Sequence, residues 1–214
     1  MLVSDVVDQV RDIIQDTQTP YRYSDDMLVG FVNQTLKRMA VLKPDIFSTI
    51  QDIPTTPGTV IQSLPSNAQR LVDIYQVKGG TTLTEVDRET LERANPSWMS
   101  EKPGTPTNFM RNIRNDTRFF VYPAPADDVV WIGEYAKVLP NYSLGDEIET
   151  IPDGYFPIVI DGTVFVAESV DDEYVNGNRA QMYQQMFTQA LGVATDARRI
   201  TDFESGGLDD DKVV

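Results

Sequence analysis

From residue 3 to residue 14 the apolar positions Val3, Val6, Val7, Val10, Ile13 and Ile14 recur at helical spacing. Ser4 is a good N-cap, and Asp5 falls where the helix dipole favours negative charge, so a helix is predicted from about Ser4 to Thr17. After "QTPYRY" the same signal returns. Ser24 is a cap, Asp25 and Asp26 fill a first turn, and Leu28, Phe31, Val32, Leu36, Met39 and Leu42 line one face of a second helix that Pro44 ends. The short link predicts an antiparallel helix pair.

Beyond Ile46 the period shortens and the punctuation thickens. Most of the chain's thirteen prolines lie between Ile46 and Pro140. Strands are predicted near Phe47–Ile53, Thr59–Leu64, Leu71–Val77, Thr107–Ile113, Arg118–Tyr122 and Val129–Val138, with "TTPGT" and "RND" as hairpin turns. Within this stretch, Asp87 is placed to cap a short helix that Pro96 stops. At "IPDGYFPIVIDGTVFVAESV" the helical period resumes. Asp153 is the expected cap, and the helix is apolar nearly all round, which suits a core or a contact between subunits. A last helix starts near Arg179 and carries Met182, Tyr183, Met186, Phe187, Ala190 and Leu191 in register. No period of 20 to 50 residues repeats.

These elements predict an α+β fold: a bundle of about four helices, two N-terminal and two C-terminal, with a β-rich inserted module. Residues 1–45 and 151–202 form the expected bundle and residues 46–150 the module. Residues 203–214, polar, acidic and glycine-containing, form an expected flexible tail.

Composition narrows the function. The 214 residues include no cysteine and no histidine. Ser-His-Asp and Cys-His triads are therefore excluded, together with disulfides and thiolate chemistry. Eighteen basic against thirty-three acidic side chains give a net charge of −15. A chain so acidic should repel nucleic acid as a whole. The opening "MLVSDVVDQVRDII" places three aspartates where a secretory signal needs a basic region and an unbroken apolar core. The longest apolar run carries Asp161 and Glu168 and falls short of the roughly 20 residues that span a bilayer. The expectation is a soluble protein, made in a cytoplasm and kept there or packaged from it.

Motifs for chemistry are weak. Neither phosphate-cradling glycine pattern occurs. The calcium-like "DDEYVNGN" fails at its third and twelfth ligand places, Tyr174 and Tyr183. The carboxylate pairs Asp127 with Asp128 and Glu147 with Glu149 lie in predicted turns and read as solvated. More informative are Phe119, Phe120, Tyr122, Trp131 and Tyr135, which place apolar groups on both faces of two strands. Two readings stand open: a two-layer sandwich core, or cover from a neighbouring chain, with Trp98, Phe119, Trp131 and Tyr135 as interface residues.

The ordered series "LVGFVNQTLKRMAVLKPDIF", "VDRETLERANPSW", "FFVYP" and "YVNGNRAQMYQQMF" resembles the head-to-tail adaptor (connector) proteins of tailed bacteriophages, particularly those of short-tailed phages. The likeness runs to about Leu191. It implies a non-enzymatic virion protein without cofactor, made in the host cytoplasm and placed at the head–tail junction. It further implies a homo-oligomeric ring, a dodecamer, that docks under the portal protein, binds a tail nozzle or the next tail component, and lets DNA pass without specific binding. The C-terminal segment would clasp the portal, with Phe203, Leu208, Val213 and Val214 as docking residues. Other readings are a different neck component, such as a stopper or terminator, or a carboxylate-based, tail-associated glycan hydrolase.

Overall fold

The structure is a computed structural model that describes residues 1–170 and 177–192. Its elements are mixed α and β, and they group into two compact units: Met1–Lys43 with Leu139–Val214, and Pro44–Val138.

The first unit is helical. Helix α1 (Val3–Ile14) buries Val3, Val6, Val7, Val10 and Ile14, and α2 (Asp25–Leu42) buries Leu28, Val32, Thr35, Leu36 and Met39. Ser24 caps α2 as expected, its Oγ accepting from the Met27 amide at 3.3 Å. Ser4 does not cap α1. Leu2 stands at that place, because the segment around Asp146–Ile148 pairs with the chain start and accepts from the Val3 amide at 3.0 Å. A tertiary partner thus satisfies a donor that a cap would otherwise serve. The same pairing draws residues 139–150, expected in the β module, into the helical unit. Asn33 ties this segment to α2 by accepting from the Tyr142 amide and donating to the Tyr142 carbonyl, both at 2.8 Å.

Between α1 and α2 a buried arginine organises the loop. Arg11 donates to Asp16 at 2.9 Å, to Asp25 at 2.6 Å and to the Tyr23 carbonyl at 2.9 Å. Asp16 in turn accepts from the amides of Arg22 and Tyr23. These bonds end α1 at Ile14, three residues short of the predicted Thr17, since Asp16 is committed to the loop.

Helix α4 (Phe156–Glu168) packs against α1, α2 and α5 (Gly177–Ala190), which accounts for its apolar circumference from within the unit. Asp153 is not its cap: a single 3-10 turn, Asp153–Tyr155, leads in, and Pro157 occupies the first turn, where a missing N–H costs nothing. Gly162 is the tightest point of the unit. A Cβ there would stand 2.5 Å from Thr35 Cγ2 and 2.7 Å from a ring carbon of Phe187, so glycine is what lets α2 and α5 close onto α4.

The second unit is a two-layer β structure. Strands β1 (Ser48–Pro54), β7 (Val130–Lys137) and β3 (Ala68–Val77) form one antiparallel sheet in the order β1-β7-β3. The other sheet has the order β2-β6-β5-β4, from β2 (Ile61–Ser63), β6 (Arg118–Tyr122), β5 (Asn108–Arg111) and the two-residue β4 (Thr84–Glu85), which runs parallel to β5. "RND" turns the β5–β6 hairpin. "TTPGT" is not a hairpin turn: β1 pairs with β7 and β2 with β6, so this linker crosses from one sheet to the other. Asp87 caps the short α3 (Arg88–Ala94), accepting from the Thr90 amide at 2.9 Å.

This layering answers the question of the two-faced strands. Ile53, Leu71, Ile74, Trp131 and Tyr135 of the first sheet meet Phe109, Phe119 and Val121 of the second. On the second sheet's other face, Met110 and Phe120 are covered by Trp98, with Leu91 of α3 and Val86 packed beside them. Trp98 meets Phe120 and Tyr122 edge-on, with ring centroids 6.0 and 6.5 Å apart.

Candidate functional site

Trp98, Phe119, Trp131 and Tyr135, taken from the sequence as interface residues, are each no more than 2% exposed within the single chain. Their cover is the facing sheet and the α3 region, so they are core residues and the neighbour-chain reading of them is corrected. Tyr135 donates its hydroxyl proton to Gln51 Oε1 at 2.8 Å, as a buried tyrosine should. Phe203, Leu208, Val213 and Val214, the expected portal-docking residues, lie outside the described residues, as does the Asp171–Asn176 part of the calcium-like stretch. Asp127, Asp128, Glu147 and Glu149 are exposed. Among the described residues, no group of three acidic side chains is placed to hold a metal ion, and no helix is long and apolar enough to cross a membrane.

One exposed surface of the helical unit is concave. A groove of about 1040 Å3 runs between α2 and α5, with α4 beneath. Val29, Gly30, Asn33, Lys37, Arg38 and Val41 form the α2 wall, and Gln184 and Thr188 the α5 wall. Phe165 and the buried Phe187 make its apolar floor. At one end Val41 is 67% exposed, beside the half-exposed Leu42.

Two cations edge this apolar surface. Lys37 donates to Asn141 Oδ1 at 2.6 Å, and the Arg38 guanidinium lies 5.2 Å from the centroid of the Phe165 ring, a cation–π arrangement. Neither forms an ion pair among the described residues. The positions of this surface alternate with the buried face of α2 and carry no catalytic chemistry, so spacing alone does not mark them. A signal was present nonetheless. In a chain with thirty-three acidic residues, α2 beyond its first turn and all of α5 contain none.

No curated protein sequence matches the chain. The family model described as SU10 adaptor protein matches residues 1–206, almost the whole length, and the chain therefore belongs to this family of phage adaptors, structural components of the virion.

Proposed function

We propose that the chain forms a homo-oligomeric ring, a dodecamer, at the head–tail junction, where it joins the capsid portal to the tail and lines the DNA exit channel. Membership of the adaptor family over residues 1–206 carries this reading. Two properties of the chain support it. A net charge of −15 repeated around a channel makes a lining that DNA passes without adhering. The acidic, glycine-containing segment Phe203–Val214 has the composition of a chain end that orders on binding, so it is assigned to the portal, with Phe203, Leu208, Val213 and Val214 as apolar anchors. Many weak, identical contacts would then act together.

The test is co-sedimentation with purified portal rings, followed by electron microscopy of the complex. The full chain should pellet with portals as a closed ring of regular stoichiometry. Deleting Phe203–Val214 should leave the circular dichroism spectrum unchanged and abolish co-sedimentation. Undiminished binding by the truncated chain would refute the docking assignment, and failure of the full chain to bind any portal ring would refute the junction itself.

A further inference from the structure

We propose that in the free subunit the segment Phe203–Val214 occupies the groove between α2 and α5 of its own chain. Charge is the first argument. In an acidic chain the groove is poor in acid and bears cations: Lys37 and Arg38 stand on its α2 wall, and among its described lining residues the one carboxylate is Asp26 at the far end. The segment "FESGGLDDDKVV" brings four carboxylates against one lysine, and apolar groups at Phe203, Leu208 and Val213 to meet Phe165, Phe187 and Val41. An acidic peptide with spaced apolar anchors is the ligand that such a surface fits.

Space is the second. Gly30 sits in the middle of α2 with nothing within 4 Å of where its Cβ would stand. A mid-helix glycine costs about 1 kcal/mol relative to alanine, and here its effect is to leave the groove wall bare for a close backbone approach. Reach is the third. Thr188, four residues before Gly192, already lines the groove. Ten intervening residues span up to about 33 Å when extended, whereas the α2 wall from Asp26 to Leu42 is about 24 Å long. The segment therefore reaches any part of the groove without strain.

Because the chain has no native cysteine, a disulfide trap reads the contact directly. In the full-length protein, a Val41→Cys/Leu208→Cys pair should oxidise to an intrachain disulfide at least tenfold faster than an Asp8→Cys/Leu208→Cys pair. Asp8 is exposed on α1 and is not part of the groove. Charge reversal by Lys37→Glu with Arg38→Glu should bring the two rates level. Gly30→Leu, whose side chain would stand in the open groove, should do so without altering the charge. Equal rates for the two pairs in the unmodified background, or a Val41 preference that survives both the charge reversal and Gly30→Leu, would overturn the proposal. A disulfide formed mainly between two chains would also overturn it and give the groove to a second copy. No portal is present in this experiment, so its failure leaves the co-sedimentation test of the adaptor reading untouched.

Discussion

The close approach of three helices at Gly162 makes a quantitative demand. Gly162→Ala adds one methyl group 2.5 Å from Thr35 Cγ2 and 2.7 and 2.8 Å from two ring carbons of Phe187. Carbon atoms rest about 3.5–4.0 Å apart, so the overlap is about 1 Å on each of two sides. Both neighbours are buried and belong to different helices, which leaves little room for either to turn away. Alanine gains about 1 kcal/mol in helix propensity over glycine. Forcing a methyl into a filled core costs about 1–3 kcal/mol, and two simultaneous clashes place this case at the upper end. The net expectation is a loss of about 1–2 kcal/mol.

The assay exploits where the probes lie. Both tryptophans, Trp98 and Trp131, are in the β unit, whereas four of the five α-helices among the described residues are in the helical unit. Urea unfolding followed by far-ultraviolet circular dichroism should therefore report mainly the helical unit and tryptophan fluorescence the β unit. Gly162→Ala should lower the midpoint of the dichroism transition. Thr35→Ser removes the clashing Cγ2 and keeps the hydroxyl, whose oxygen accepts from Thr163 Oγ1 at 3.4 Å. Combined with Gly162→Ala, it should recover at least about 0.5 kcal/mol relative to the sum of the single changes. A Gly162→Ala protein as stable as the parent, or more so, would refute the reasoning: propensity would have outweighed packing, and the helices would not be in contact as described.

Tyr75 and Asp161 each carry a pH signature. Tyr75 donates to Glu134 Oε2 at 2.5 Å, and this bond, with burial, pushes its pKa up to about 12. Since an unfolded tyrosine ionises near pH 10, the stabilisation is whole below about pH 10 and is lost as pH rises toward 12. Tyr75→Phe should remove the latest-titrating step from the ultraviolet absorbance titration; an unchanged titration would show that the bond is absent. Burial raises the pKa of Asp161 on α4, so its folded form holds a proton more tightly than the unfolded chain does. Its contribution is greatest below the ordinary carboxylate pKa and is lost as pH rises through the raised value, and Asp161→Asn should stabilise the protein at neutral pH. That gain should vanish near pH 3, roughly a unit below the ordinary aspartate value, as chemical denaturation at the two pH values would show.

Much of the fold was legible because period and caps are local signals. Leu28, Val32, Leu36 and Met39 mark α2 by spacing alone, and Ser24 and Asp87 cap the helices they were expected to cap. The misread ends, Ser4 and Asp153, fail for a shared reason: other structure meets the need a cap would meet, the Asp146 carbonyl at one and a 3-10 lead-in at the other. Pairing across sheets was invisible for a different cause. "TTPGT" has the composition of a hairpin turn, but the partners of its flanking strands are decided by β6 and β7, some 60 to 80 residues later in the sequence. The candidate surface was least legible of all. Its walls come from helices far apart in sequence, and the close approach of α2 and α5 to α4 that builds it turns on one glycine at 162.

The enclosed aromatics of the β unit change what assembly rests on. Trp131 and Phe119 are covered inside one chain, so the proposed assembly would draw on other surfaces or on the segment Phe203–Val214. If that segment both docks the portal and fills its own groove, the two contacts compete. A groove that holds the segment nine-tenths of the time lowers the affinity of a single subunit for the portal about tenfold, or about 1.4 kcal/mol. One subunit alone would therefore bind poorly. Around the proposed ring the penalty would be met once per subunit, but each docked neighbour would present the next segment at high local concentration, which would offset it. On these two proposals, competition within the subunit would favour assembly on a complete portal over scattered binding to stray copies, and would need no contact stronger than that of an acidic peptide with Lys37 and Arg38.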